Sequence, residues 1–511
     1  MDTQALFQEF KEKTEQFYAG DMDWKEYKGL SGFYGSVAQR GWKSNMIRLR
    51  MTGGRVTKPK MKFVADMIRK HDVKRMHFTT CSTIQLHDLV PEQLFDIMEG
   101  ALKNDILTIG GGGNYPRNVV CSALSGVDKN EFFPVLPYAE AAMEKLEKYI
   151  TAEKMPRKLK VSFCDSPEND GHSTIKDLGF VARPDGKIDV YICGGMGPNH
   201  KMGVKVAEAV APEEIGYYIH AMWLFFRTFG NYENKAKARS RYIQETLETK
   251  ERFQAEFEAK LKEAYASDYD LKLNVKPLVY NKKGNGTNAP EDMNVIPQKQ
   301  EGLYAVAYHP AAGFPDPRVF CQLTDAVMEI EDAELRLSGN ETGYIINLTG
   351  DEAERILSII KEDNAESKFE YSVSCVGNTI CQIGLRDSKG ACEASIKAVR
   401  EAKIPNEALP IVHFSGCMSS CASHQVGKIG FRGGNKKVND ESVAAFVMFV
   451  DGNPTLGHEK FAEELGTIQD TKIPEFLVEL GRTVAATGMT YDQWYAKHYD
   501  EVAKIAKPYI D

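Results

Sequence analysis

The sequence lacks any long apolar run, and this absence excludes several classes of protein. No stretch approaches the ~18 consecutive apolar residues that a membrane-spanning helix needs. The first 25 residues mix acids, bases and aromatics, where a secretory signal would have a continuous apolar region. Basic excess is also missing, because 64 basic and 72 acidic side chains give a net charge of −8. We therefore expect a cytoplasmic protein with neither nucleic acid nor a membrane as its partner.

Disulfide-forming cysteines and nucleotide-binding motifs are scarce as well. Ten cysteines in 511 residues are too few for a disulfide scaffold. The glycine run 110–113 is not followed by the Gly-Lys-Ser/Thr of a phosphate-binding loop, and no dinucleotide fingerprint follows a strand. The length predicts two to four domains. No flavin or nicotinamide domain is expected among them, so any redox chemistry requires a separate electron donor.

The chain carries an internal duplication. Residues 160–182 align with 411–433 at one constant offset, and 62–98 share with 322–359 a helix–strand–turn–strand–helix pattern of apolar residues. The order A–B–A′–B′ predicts an α+β fold with a pseudo-twofold axis and a site in the groove between the halves. The predicted boundaries are an N-terminal segment 1–45, unit A 46–150, unit B 151–267, a linker 268–316, unit A′ 317–366 and unit B′ 367–511. A charged, solvated helix is predicted over 236–266.

Four cysteines are grouped, and all four lie in the second half of the chain. They form a C-x5-C pair and a C-x3-C pair: Cys375, Cys381, Cys417 and Cys421. At the places in the first half that match the C-x3-C pair, the chain has Ser166 and Asp170. Grouped thiols in a reducing compartment are typical of metal ligands or redox groups. The spacing is unusual for the C-x2–4-C knuckles of structural zinc, so it favours an iron–sulfur cluster, with zinc or unliganded thiols as alternatives.

The segment around the second pair of cysteines resembles a known family. Residues 415–422 (SGCMSSCA), followed by Gln-Val and Ile-Gly-Phe, are similar to the T-G-C-P-N-x-C-G motif of the sirohaem- and [4Fe–4S]-containing sulfite and nitrite reductases. The resemblance extends over about 29–494. It implies an internally duplicated fold in which A and A′ are ferredoxin-like half-domains and B and B′ are sirohaem/cluster-type domains. It also implies that the four cysteines bind a [4Fe–4S] cluster and that Cys421 bridges this cluster to the sirohaem iron.

Three basic segments complete the resemblance. Alone, they would be typical of a solvated strand edge or a charged turn, but reduction of an oxyanion needs cations that hold negative charge and supply protons. The segments are MIRLR at 46–50, RNVV at 117–120 and PRKLK at 156–160. The family's corresponding residues face the substrate, which implies that role for Arg48, Arg117, Lys158 and Lys160.

One position departs from the family pattern. Members carry T-T-R-Q-x-x-Q, whose arginine pairs with a sirohaem carboxylate, whereas this chain has Cys81 at the arginine and keeps Gln85 as a cofactor-binding residue. Sirohaem has eight carboxylates, so the loss of a bidentate partner matters. Either Arg40 or Arg75 substitutes for it, or the bound tetrapyrrole is modified, for example amidated. Taken alone, Cys81 is typical of a small buried residue.

The function expected from this resemblance is six-electron reduction of sulfite to sulfide, with some nitrite reduction. Two arginines and two lysines suit the more highly charged sulfite, and Lys160 replaces an asparagine of many nitrite reductases. The alternative is a nitrite reductase, which the segment 122–131 (SALSGVDKNE) resembles. A ferredoxin or a flavoprotein would donate electrons. Alternatives from other classes are a non-catalytic iron–sulfur electron carrier or redox sensor, and a zinc-stabilised binding protein.

Overall fold

The computed structural model describes residues 3–510 and shows a mixed α/β protein. Its longer helices alternate with four small β-sheets along the chain. The α-helices are Thr3–Ala19, Trp24–Ser31, Lys58–His71, Pro91–Lys103, Leu136–Glu147, Ile215–Phe229, Ile243–Thr246, Lys250–Tyr265, Pro317–Glu329, Gly350–Ile360, Gly377–Ile380, Ser388–Glu401, Ile473–Ala485, Tyr491–Tyr495 and Glu501–Ile510. No helix in this described range is long and apolar enough to span a membrane.

Units A and A′ have the predicted helix–strand–strand–helix order. The sheet of A is antiparallel, with strands in the order Ser36–Ala38, Asn45–Arg50, Thr83–Leu89 and Met76–Phe78. The antiparallel sheet of A′ has the order Val295–Pro297, Tyr304–Tyr308, Gly343–Leu348, Glu334–Leu337 and Arg55–Val56. The last of these strands comes from the first half of the chain. One hydrophobic core spans both units, so A and A′ fold as a single body.

Units B and B′ each contain a five-stranded mixed sheet. In B the strand order is Val204–Val210, Ile188–Ile192, Leu178–Ala182, Val161–Cys164 and Val120–Cys121, and the last of these strands comes from the range predicted as unit A. In B′ it is Val373–Ser374, Val412–Ser415, Ile429–Val438, Glu441–Val450 and Glu463–Gln469. Phe163 pairs with Phe180, and Phe414 with Phe431, in the same parallel register. Each sheet packs on its own core, and the duplication read from the sequence is thus reproduced strand by strand.

Two segments differ from their predicted structure. The long charged helix begins only at Lys250, because residues 235–242 form two short 3-10 turns that direct Arg239 and Arg241 inward, and Ile243–Thr246 is a separate single-turn helix. The predicted linker is irregular up to residue 294, but its remainder supplies two strands to the A′ sheet. Local composition indicated neither outcome, because both depend on partners distant in the sequence.

Candidate functional site

A cavity of about 370 Å³ lies where the two halves of the molecule meet, and we call it the central cavity. The first half contributes its cationic side chains and the second half contributes its thiols. The lining cations are Lys28, Arg48, Arg117, Lys158, Lys160, Lys176 and Arg239. The lining thiols are Cys81 from the first half and Cys375, Cys381, Cys417 and Cys421 from the second. The structure therefore brings together all four predicted substrate-facing residues and all four predicted cluster ligands.

The four grouped thiols lie in turns or directly after short elements: Cys375 follows a strand and Cys381 follows the helix Gly377–Ile380. Cys375 follows the strand Val373–Ser374, and its sulfur accepts the Gly416 N–H at 3.2 Å, which ties the two cysteine segments together. Burial raises the pKa of Cys375 to about 12, with a further contribution from Cys421. Gly377 lies between Cys375 and Cys381 and has a φ of +67. A side chain at this position is disfavoured by the positive φ and also by the close contact, because a Cβ would lie 2.8 Å from Asp387 Oδ1.

These thiols fit a cluster better than a single ion. Among residues 3–510, no three His, Cys, Asp or Glu side chains are grouped closely enough to hold one metal ion. The four cysteines are unpaired and share one cavity wall, and thiolates are the ligands that iron–sulfur clusters use. Cys421 opens onto the cavity, and burial of its sulfur raises its pKa against the opposing charges of Lys158 and Lys160.

The glycine run 110–113 positions the two arginines that are predicted to face the substrate. Arg48 Nη1 and Arg117 Nη1 both donate to the Gly111 carbonyl, the latter at 2.6 Å, and Arg117 Nη2 donates to Gly113 O at 2.8 Å. A Cβ on Gly112 would lie 2.5 Å from the Gly32 carbonyl, so only glycine allows this approach. The run is therefore an arginine-holding loop.

Burial, together with the crowding of like charges, lowers the pKa values of these cations. Burial, followed by the charge of Arg48, lowers the pKa of Arg117 to about 9. Burial, with Arg239 and Lys160 adding to it, places the pKa of Lys158 well below its ordinary value. A cavity of this kind attracts an anion, since each bound negative charge relieves the repulsion.

Sequence reasoning missed several side chains of this cavity, among them Lys176 and Arg239. Burial and the charge of Lys160 lower the pKa of Lys176 to about 8. Arg239 donates to Asp177 Oδ2 at 2.8 Å, and the same carboxylate oxygen accepts the Lys160 N–H at 2.9 Å. Neither residue belongs to a recognisable motif. Only the constant offset between the halves, by which Lys176 corresponds to Gly427, marks this lysine as specific to the first half.

The two arginines suggested as substitutes at the position of Cys81 do not line the described cavity wall. Arg40 donates to the carbonyls of Cys381, Gln382 and Gly384, so it holds a cluster-ligand loop by its backbone. Arg75 lies 3.4 Å from Asp88 and lines a separate surface cavity. The roles given to these arginines stay predictions, and their side chains are engaged elsewhere.

Cys81 itself lies in the cationic part of the cavity. Burial alone would raise its pKa, but Lys160, Lys176 and Arg48 outweigh this effect and lower the pKa to about 6. The thiol is half-buried and not the inert, fully enclosed side chain that its residue type alone suggests. Gln85, the other member of this motif, lines the same cavity and faces Arg48.

Two family models match parts of this chain. The family model described as the nitrite/sulfite reductase ferredoxin-like half domain matches residues 38–104, and the one described as the nitrite and sulphite reductase 4Fe-4S domain matches residues 112–265. The second match falls on unit B, whereas the four grouped cysteines lie in unit B′. Both matches therefore include the basic segments and not the four grouped thiols.

Relatives with similar sequences extend over most of the chain. The assimilatory ferredoxin-dependent nitrite reductase of Haloferax mediterranei is 23% identical and aligned over 93% of this chain and 86% of its own length. The sulfite reductase [NADPH] hemoprotein beta-component of Chromohalobacter salexigens is 25% identical, with 76% and 74% covered. The NirA protein of Mycobacterium tuberculosis has the same fold, with a TM-score of 0.79 at 20% identity over 95% of this chain and 93% of that one.

The duplicated fold brings the grouped thiols of one half and the cations of the other to one cavity, which is the kind of site that a cluster-dependent oxyanion reductase requires. The chain is similar to the nitrite and sulfite reductases over most of its length, and this similarity makes it an oxidoreductase. The predicted α+β fold is confirmed, and the predicted [4Fe–4S] cluster and sirohaem are the cofactors of this family.

Proposed function

We propose that this protein reduces sulfite to sulfide in a six-electron reaction, as a cytoplasmic enzyme supplied by a ferredoxin or a flavoprotein donor. The observation that carries the proposal is the convergence of Arg48, Arg117, Lys158 and Lys160 on the cavity that the four grouped thiols also line. An electron carrier or redox sensor has no use for a buried set of cations, whose desolvation is costly. A reductase uses them to bind its anionic substrate.

The cavity's own residues account for binding and proton supply. Arg48 and Arg117 present guanidinium groups held by the Gly111 carbonyl, so their orientation is fixed before the anion arrives. Lys158 and Lys176 have lowered pKa values and therefore release protons more readily than ordinary lysines. Oxygen atoms leave the substrate as water, and these amines lie in the cavity where such protons are required.

Cofactor binding falls to the second half of the chain. We assign the cluster to Cys375, Cys381, Cys417 and Cys421, and the link between cluster and sirohaem to Cys421. When bound, these groups would supply the electrons that the side chains of the cavity cannot. Gln85 is assigned to the cofactor from its place on the cavity wall.

Sulfite is preferred because the cavity is so strongly cationic. Lys28, Lys176 and Arg239 line the cavity together with the four predicted cations, and a sulfite dianion gains more from this surplus than the nitrite monoanion does. Nitrite is the second candidate. It is favoured by the segment 122–131 and by the name of the Haloferax mediterranei relative, which is a nitrite reductase.

Steady-state kinetics with a viologen donor test this assignment. We expect kcat/KM for sulfite to exceed that for nitrite, and Lys160→Asn to lower sulfite turnover more than nitrite turnover, by about 1–3 kcal/mol in transition-state stabilisation. Lys103→Asn, which removes an exposed lysine at a helix end, is the matched control and should change neither. A higher kcat/KM for nitrite that Lys160→Asn leaves unchanged would overturn the preference for sulfite. Absence of a haem-type Soret band would refute the reductase altogether.

A further inference from the structure

Three polar side chains form one row across the sheet of unit A. Arg48, Gln85 and His77 occupy three adjacent strands, and the register pairs Arg48 with Gln85 and Gln85 with His77. Cross-strand partners point to the same face of a sheet, and all three line the central cavity. Arg48 is thus linked across the strands, through Gln85, to the buried His77.

The partners of Gln85 determine how its amide is oriented. A guanidinium can only donate, so the amide atom that faces Arg48 is the oxygen, which accepts from Nη2 at 2.6 Å and Nε at 3.1 Å. The amide NH2 then donates to His87 Nε2 at 3.2 Å, and the amide lies 3.4 Å from His77 Nδ1. Both imidazole nitrogens that face Gln85 are therefore acceptors.

Glu341 completes the row from the second half of the chain. With Nδ1 accepting, His77 carries its proton on Nε2, which lies 3.4 Å from Glu341 Oε1. Both side chains are buried, at 5% and 1% exposure, and Phe314 stacks on the imidazole with a centroid distance of 4.4 Å. The other carboxylate oxygen accepts the Ser374 N–H at 2.9 Å, directly before Cys375.

We propose that Glu341, His77 and Gln85 are positioning residues that fix Arg48 in its anion-binding orientation. Glu341 sets the tautomer of His77, His77 with His87 orients the Gln85 amide, and the amide oxygen holds two nitrogens of the guanidinium. Ser374 anchors the far end of this row to the strand that leads to a thiol. This proposal depends on the proposed function only because it takes the bound anion to be the substrate.

Glu341→Gln is the most informative variant. Its amide oxygen can still accept from Ser374, while its NH2 faces His77 Nε2 and favours the tautomer with the proton on Nδ1. That proton points at the Gln85 NH2, so two donors meet and the amide loses its fixed orientation. His77→Asn is a second variant, which keeps an amide near Gln85 but does not reach Glu341.

The test is direct anion binding, followed by a double-mutant cycle with Arg48. The holoprotein is titrated with nitrite and separately with sulfite, and the dissociation constant is read from the visible absorption. We expect Glu341→Gln and His77→Asn each to raise this constant about tenfold, with unchanged iron and tetrapyrrole content. In an Arg48→Ala background we expect neither variant to raise it further, because a positioning residue has nothing left to position. Glu370→Gln, which alters a buried carboxylate paired with Arg400 at 2.6 Å outside the cavity wall, is the matched control.

Two outcomes would overturn the proposal. One is an unchanged dissociation constant in both Glu341→Gln and His77→Asn. The other is an equal, additive weakening with and without the Arg48 side chain, which would indicate a general structural role. The titration needs no turnover, so a protein that binds these anions but reduces neither would refute the proposed function and leave this comparison intact.

Discussion

The two halves of the molecule differ at the positions that bear its chemistry, although their strands match in register. Cys375 follows Ser374 at the end of a strand in B′, and Ser122 follows Cys121 at the same register point in B. In chain order, Cys375, Cys381, Cys417 and Cys421 correspond to Ser122, Asp128, Ser166 and Asp170 respectively. Ser122 Oγ donates to Asp170 Oδ1 at 2.9 Å, so two of these oxygen-bearing side chains bond to each other where the thiols face an open cavity.

The reverse specialisation holds for the lysines. At the constant offset, Lys158 and Lys160 of the first half correspond to Leu409 and Ile411 of the second. Leu409 is buried at 1% exposure and packs in the core of B′. Each half thus keeps one component, cations or thiols, and has replaced the other with groups that close its own interior. The active cavity exists only where the two halves face each other.

The largest expected effect tests the thiol half. Cys421→Ser should abolish cluster and tetrapyrrole together, because one thiolate is assigned to both, and iron, acid-labile sulfide and the Soret band measure this. Asp170→Ser changes the corresponding position of the first half and should leave all three at full content. Cys164→Ser and Cys193→Ser, at buried thiols outside the cavity, should do the same. Full cofactor content in Cys421→Ser would contradict the bridging role.

The sequence predicted the components of this comparison better than their connections. The repeat offset and the cysteine spacing predicted both halves, and the cavity contains all eight residues named for substrate and cluster. Lys176, His77 and Glu341 could not be predicted, because their roles depend on strand register and on contacts between halves that leave no local pattern. Arg40 and Arg75 were selected by charge alone, and charge does not indicate which carbonyl or carboxylate engages a side chain.

A second prediction concerns the counterpart of His77. In unit A′ the corresponding strand position is Arg336, which is fully buried. Its guanidinium pairs with Glu334 at 2.5 Å and donates a hydrogen bond to the Tyr280 hydroxyl. Arg336→Met should lower the free energy of unfolding by about 1–3 kcal/mol, because the buried Glu334 carboxylate loses one charged partner and keeps only Arg55, at 3.0 Å, as the other. Cofactor content should stay unchanged at 25 °C, since Arg336 is not part of the cavity wall.

Thermal unfolding followed by circular dichroism measures this effect. Arg355→Met is the control, because its ion pair with Glu329 at 2.6 Å is exposed and should contribute less than about 1 kcal/mol. An equally small change in Arg336→Met would mean that the buried Arg336 contributes no more to stability than an exposed arginine. The comparison between His77, which lines the cavity, and Arg336, which closes the interior at the corresponding position, would then fail.

The smallest expected effect concerns Lys176, whose counterpart is Gly427 and whose pKa is lowered to about 8 by burial and by Lys160. Its cationic form predominates below pH 8 and is lost above it, so anion affinity should fall as the pH rises from 7 to 8.5. The loss of one charge in a hydrated cavity is worth about 1 kcal/mol, or roughly fivefold in the dissociation constant.

Nitrite is the suitable probe, because it stays a monoanion over this range whereas sulfite titrates. Lys176→Met should bind nitrite more weakly at pH 7 and show a flatter pH profile than the unchanged protein. A profile that is equally steep in Lys176→Met would assign the pH dependence to another group of the first half, and Lys158 would be the next to test.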